Sequence, residues 1–349
     1  MLADRIEAKW IDTFDRLFEL CRLGPGDDVV ILSETQSRAL NVQLAELALL
    51  RRGVRAFHVI MPTPRQTAPV PIRSTGASQA LGHNRVAVAA LAQATAVVDL
   101  TVEGLMHAPE TPEILKGGAR IINISNEHPE ALERLLPDES LKERTDAARR
   151  RMKAARQMRV TSGAGTDLVA NIAGAVAVGV HGWTDRPGTL SHFPGGIVLA
   201  FPRPGSVSGR LVLDVGDINL TFKRYLESPV TLTIEDDYVT AIDGTGTDAE
   251  LFRRYIAAWG DREAYATSHV GYGLNHGARY EALAMYDRRE TNGTEQRAWA
   301  GNFLYSTGAN EFAGRYTAGH FDLPVGRCTI ALDGVEVVRA GDLVEEALG

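Results

Sequence analysis

The sequence predicts an α/β plus β-rich protein: an N-terminal open parallel-sheet α/β domain over residues 1–157 and a C-terminal, mostly antiparallel β domain over residues 158–349. Three observations predict it. A chain of 349 residues exceeds what one hydrophobic core usually organises. Helix-period and strand-like runs alternate through the first half, as parallel strands joined by crossovers require. From Met158 onward, short β-type runs separated by Gly and Pro replace that alternation.

Ile6, Trp10, Phe14, Leu17, Phe18 and Cys21 recur at helical spacing, and Gly24 and Gly26 end that helix. Asp28 to Leu32 is a short apolar run, the pattern of a buried strand. Ser37 to Arg52 reads as a helix with Gly53 as its C-terminal cap, and Arg55 to Ile60 as the next strand. Pro62 to His83, rich in Pro, Thr, Ser and Gly, is a loop long enough to be a lid over a site or an ordered surface segment. Asn84 to Ala94 is an Ala- and Val-rich helix, followed by strands at Ala96 to Leu100 and Arg120 to Ile124. The basic run Arg149 to Lys153 shares a helix with the acidic stretch Asp138 to Glu143 and reads as a solvated charged face. In the second half, Arg159–Ser162, Gly196–Phe201, Gly209–Leu213, Val230–Ile234 and Cys328–Leu332 read as strands. One helix interrupts them, Asp248 to Trp259, with Thr247 as N-cap and Gly260 as its stop.

Composition narrows the function classes. Hydrophobic residues make up 44% of the chain, enough for a full core. A net charge of −7 and a pI near 5.8 offer no basic face to a nucleic acid. Cys21 and Cys328, far apart, make no disulfide framework and suit a reducing compartment. The charged start, Met1 to Glu7, has no apolar signal core, and the apolar stretch Val169 to Val180 is too short for a bilayer. A cytoplasmic protein without nucleic-acid or membrane partners is expected.

The residues able to carry chemistry gather in the last quarter. His269 stands in Ser268-His269-Val270-Gly271-Tyr272-Gly273-Leu274-Asn275, and His320 and Asp322 in Gly319-His320-Phe321-Asp322. On a strand, His-x-Asp sets both side chains on one face, because strand side chains repeat every two residues. Alone, such a pair is most often an ordinary polar pair. His269 adds a third partner from another element, before a Gly-x-Gly-x-Asn turn that leaves little bulk around it. Two His and one carboxylate hold a divalent metal on one side and leave the other open, which suits non-haem Fe(II) and O2. His276 is the rival third ligand, while His58, His83, His128 and His181 read as surface or packing residues. There is no Gly-x-Gly-x-x-Gly after the first strand and no Walker-type loop, so nucleotide binding has no support.

Several motifs now fall in order: Gly165-Thr166-Asp167-Leu168, His192-Phe193-Pro194-Gly195-Gly196-Ile197-Val198, Gly271-Tyr272-Gly273-Leu274-Asn275, Gly301-Asn302-Phe303-Leu304 and His320-Phe321-Asp322. Their succession resembles the M29 aminopeptidase family, and the α/β pattern of the first half is compatible with it. The departures are informative. That family's metal-ligating Glu and His are replaced here by Ile197 and Leu304, and the Glu before its Gly-x-Gly-x-Asn turn by His269. A two-metal hydrolytic site needs bridging carboxylates, so the resemblance leaves room for one metal, on His269, His320 and Asp322.

The altered pattern is similar to the 2,5-dihydroxypyridine 5,6-dioxygenases of the same superfamily. The resemblance implies one Fe(II), a homo-oligomer, and ring opening of 2,5-dihydroxypyridine by O2 to N-formylmaleamate, as in nicotinate and nicotine breakdown. A ring hydroxyl must lose a proton to bind and donate well, so a base is needed, and His is the usual choice. His107 is the first candidate, since it follows the Ala96–Leu100 strand and open α/β sheets build sites beyond the carboxyl ends of their strands. His192, in the Pro-Gly-Gly motif, is the second. Tyr305 and Tyr316 are candidates for substrate contact. The alternatives are an M29-type aminopeptidase and a non-catalytic binding descendant of that fold.

Overall fold

A computed structural model describes residues 5–65 and 77–347. Half of the Pro62–His83 loop, residues 66–76, lies outside them, and with it the expectation of a lid. In the first half, strands β1 (Asp28–Glu34), β2 (Arg55–Met61), β3 (Ala96–Asp99) and β4 (Arg120–Ile124) alternate with helices α1 (Ala8–Leu20), α2 (Ala39–Arg51), α3 (Arg85–Gln93) and α4 (Thr111–Lys116). Short α5 (Pro129–Arg134) and long α6 (Glu139–Ala154) lead out of this half.

The strands pair in parallel, and both faces of their sheet are covered. Val29 and Ile31 point to α1 and α2 among Phe14, Leu17 and Leu44; Val30 and Leu32 point to α3 and α4 among Leu91 and Ile114. Burial on both faces is why β1 reads as an unbroken apolar run. Asn84 caps α3, its Oδ1 accepting from the amides of Val86 and Ala87 at 3.1 Å each.

The second half is strand-rich: β5 (Gln157–Ser162), β6 (Asp167–Asn171), β7 (Val176–Val180), β8 (Leu190–Phe193), β9 (Ile197–Phe201), β10 (Val207–Leu213), β11 (Ile218–Asn219), β12 (Arg224–Tyr225), β13 (Val230–Glu235), β14 (Tyr238–Asp243), β15 (Thr267–Gly273), β16 (Phe303–Asn310), β17 (Arg315–Val325), β18 (Cys328–Leu332), β19 (Val335–Arg339) and β20 (Asp342–Leu343). Helix α7 (Gly246–Ala258) and the short α8 (Ala282–Met285) and α9 (Thr294–Ala298) interrupt it. An antiparallel sheet of order β14-β13-β10-β6-β5-β18-β19-β20 packs against a second of order β17-β16-β15-β9-β7. Met158, Val160, Leu168 and Ile330 of the first meet Val270, Tyr272, Phe303, Tyr305 and Leu323 of the second.

Three local expectations change. β8 pairs in parallel with β4, so the first sheet takes its fifth strand from the second half. Helix α7 begins at Gly246 with Thr245 as N-cap; Thr247 is already helical. Gly271 and Gly273 lie within β15, not in a turn.

Candidate metal centre

The site grows out of strand register. β15, β16 and β17 are neighbours, and His269 lies opposite Ser306, which lies opposite Asp322. Opposed residues share a face, so these three side chains form a row across the sheet. His320, two residues before Asp322, shares that face and lies opposite Gly308. On the same face follow Leu304, then Leu199 and Ile197 of β9, opposite Gly271 and Gly273. Those glycines let backbone approach: a Cβ at Gly271 would lie 1.9 Å from the Val198 carbonyl oxygen, and one at Gly273 2.0 Å from that of Trp299.

Among the described residues, one set of metal-capable side chains converges: ligand atoms of His269, His320 and Asp322 lie within 4.8 Å of one another. All three are buried. Asp322 Oδ1 lies 3.2 Å from His320 Nε2 and 3.6 Å from His269 Nε2. Burial would raise the Asp322 carboxyl, but His320 and Arg297 hold it well below the usual carboxylate range. Burial pushes the His269 imidazole down to about 3, against the attraction of Asp322. A neutral imidazole beside an ionised carboxylate is the state a metal requires of its ligands. The donor set therefore fits one divalent ion with open positions.

The carboxylate is tethered at both oxygens. Ser306 donates from its hydroxyl to Oδ1, and Arg297 Nε donates to Oδ2. Beside the triad the wall is apolar: Ile197 and Leu304, each 1% exposed, pack with Leu199, Phe201 and Leu135. Both line the cavity in front of the triad.

The two base candidates line the same cavity. His107 lies on the loop after β3, its ring centroid 5.0 Å from that of His320 and its Nδ1 2.8 Å from Glu311 Oε1. His192 lies in β8 beside Asn123 of β4. Its Nδ1 lies 2.7 Å from the Pro194 carbonyl oxygen, which can only accept, so the ring proton sits on Nδ1 and Nε2 carries the lone pair. Burial pushes this imidazole down to about 4.

Other candidates fall away. His276 is exposed, bonded to Glu345 at 2.8 Å, and outside the converging set. Tyr305 points into the core and meets Thr267, and Tyr316 is 74% exposed; neither lines the cavity. His58 pairs with Glu46 and the exposed His83 with buried Glu110, His128 accepts from the Glu130 amide at the start of α5, and His181 packs edge-on to Trp183.

Sequence reasoning missed Ser306, Arg297 and Glu311. Ser306 had a signal: it stands two residues after Leu304, hence on the same strand face. It also missed Asn292 and Thr294 in the cavity wall. Both are held by buried Glu127, which accepts from the amides of Asn292, Gly293 and Thr294 at 2.8 to 3.0 Å.

Residues 9–345 match the family model described as 2,5-dihydroxypyridine 5,6-dioxygenase. The 2,5-dihydroxypyridine 5,6-dioxygenase of Pseudomonas putida KT2440 is 38% identical over 341 residues, which are 97% of this chain and 96% of that one. The solved structure of 2,5-dihydroxypyridine dioxygenase from the same strain superposes with a TM-score of 0.90 at 37% identity, covering 97% of this chain and 98% of that one. AmpT from Thermus thermophilus shares the fold, with a TM-score of 0.64 at 14% identity over 95% of this chain and 99% of that one.

Proposed function

The chain belongs to the 2,5-dihydroxypyridine 5,6-dioxygenase family, and from that premise we propose that it opens the ring of 2,5-dihydroxypyridine with O2 at a single Fe(II) held by His269, His320 and Asp322. The observation that carries this reading is the one set among the described residues in which two imidazoles and a carboxylate converge, with apolar Ile197 and Leu304 beside it. When bound, Fe(II) supplies a centre that accepts both substrate and O2 and lets electrons pass between them.

The protein's own groups do the rest. His107 takes the proton of a ring hydroxyl at Nε2, the nitrogen left over by its bond to Glu311. His192 accepts a hydrogen bond at Nε2; a group held near pH 4 is a weak base and serves better to orient. Ile197, Leu199 and Leu304 offer the ring an apolar wall and exclude water. The C5–C6 bond breaks and both oxygen atoms enter the product: C5H5NO2 and O2 give C5H5NO4, N-formylmaleamic acid. Such a reaction belongs to nicotinate or nicotine breakdown. A cytoplasmic homo-oligomer is part of the same proposal. Two buried, unpaired cysteines support its reducing setting, and no helix among the described residues is long and apolar enough to cross a membrane.

The test is anaerobic reconstitution with Fe(II) followed by oxygen uptake with 2,5-dihydroxypyridine. Iron-dependent consumption of one O2 per ring, with loss of the ring's ultraviolet absorbance, is expected. Iron binding without uptake would overturn the substrate, and no iron binding would overturn the triad.

A further inference from the structure

We infer that Glu311 is a positioning residue: through a bond that joins the two halves of the chain, it holds His107 with its proton on Nδ1 and its lone pair on Nε2. The inference rests on the reading of His107 as the base.

Three observations support it. The first is the contact, His107 Nδ1 to Glu311 Oε1 at 2.8 Å between residues 204 positions apart. An ionised carboxylate only accepts, so the shared proton belongs to Nδ1 and proton exchange is left to Nε2. Burial would raise the Glu311 carboxyl, but the bond from His107 lowers it below its ordinary value.

The second is the support under Glu311. It opens a single turn, Glu311–Ala313, between β16 and β17. Asn310, fully buried, anchors that turn twice: its Nδ2 donates to the Pro202 carbonyl at 3.0 Å, and its Oδ1 accepts from the Ala313 amide at 3.1 Å. Phe312 of the same turn packs on Phe201, whose ring makes a T-shaped contact with that of His269. The carboxylate is thus tied to the strands that carry the triad.

The third is the support under His107. Its loop is pinned by buried Asp99, which accepts from Thr101 N at 3.0 Å, Thr101 Oγ1 at 2.7 Å, Leu105 N at 2.8 Å and Asn123 Nδ2 at 2.8 Å. Two rigid supports meeting in one hydrogen bond fix the ring better than either loop alone. Without Glu311 the imidazole can turn over or carry its proton on Nε2, and either leaves the hydroxyl without an acceptor.

The test compares iron-loaded wild type, His107→Ala, Glu311→Ala and Glu311→Gln for kcat, KM and iron per chain. Loss of the base should lower kcat by about 100- to 10,000-fold. Both Glu311 variants should lower kcat by roughly 10- to 100-fold, with KM within about threefold and iron content unchanged, because the group acts on the proton acceptor and not on binding. Gln has the shape of Glu, so a merely space-filling or turn-bracing role would be restored by Glu311→Gln. Wild-type kcat in that variant would overturn the inference, as would full activity in Glu311→Ala while His107→Ala is inactive. Near-normal turnover in His107→Ala would instead overturn the base assignment, and Glu311's role with it. If Glu311→Ala does not fold, the isosteric Gln variant carries the decision alone.

Discussion

Ser306→Ala isolates the tether on Asp322, the carboxylate of the proposed metal site. Ser306 is fully buried between His269 and Asp322 in adjacent strands, and its hydroxyl donates to the Asp322 oxygen that faces both imidazoles. The substitution keeps the Cβ and removes one hydrogen bond to a charged acceptor. Asp322 then keeps Arg297 on Oδ2 but loses the hydroxyl that fixes Oδ1 in line with the histidine nitrogens. Loss of such an outer partner typically weakens metal binding by about 10- to 100-fold, which is roughly 1.4 to 2.7 kcal/mol. The assay is anaerobic competition for Fe(II) between the protein and a chromophoric ferrous chelator, with circular dichroism to confirm the fold. Affinity equal to wild type, or tighter, would refute the reasoning: the hydroxyl would then be occupying a lone pair the metal needs.

Three further predictions follow from the same geometry. His269→Ala, His320→Ala and Asp322→Ala should each abolish stoichiometric iron retention, read by metal analysis; retention in any one removes that residue from the site. Glu127→Ala leaves the amides of Asn292, Gly293 and Thr294 without their acceptor, so it should cost about 2 to 4 kcal/mol in denaturant unfolding and raise KM, since Asn292 and Thr294 line the cavity. Burial lowers the His128 pKa below 6.5, so as pH falls through 6.5 the unfolded chain gains a proton there before the folded one. Stability then drops with falling pH, at up to about 1.4 kcal/mol per unit for one proton, until the folded pKa is reached. His128→Asn should keep a capping acceptor and remove this part of the slope, and an unchanged slope in urea titrations between pH 6.5 and 5 would contradict it.

What the sequence disclosed depended on range. β1, α2 and β4 were legible because period and burial are local properties. His320 and Asp322 were placed on one face by strand alternation alone. Leu190 to Phe193 was not recognised as a strand, for four residues including Ser191 and His192 carry no period, and its pairing with β4 crosses most of a domain. Gly271 and Gly273 read as a turn because glycine is depleted in strands; here the near contact of Val198 and Trp299 carbonyls demands it. Arg297 and Glu311 act on partners 25 and 204 residues away, through contacts no motif encodes. Ile197 and Leu304 were informative through comparison with a family pattern, and the structure gives that a physical form: an apolar wall beside one metal-capable set.

The most direct test of the central claim is a single turnover of the iron-loaded protein with 2,5-dihydroxypyridine under 18O2, read by mass spectrometry of the product. Two labelled oxygens in one ring-opened molecule are predicted. A product with one label or none, or turnover that continues without oxygen, would contradict a single-metal ring-opening dioxygenase.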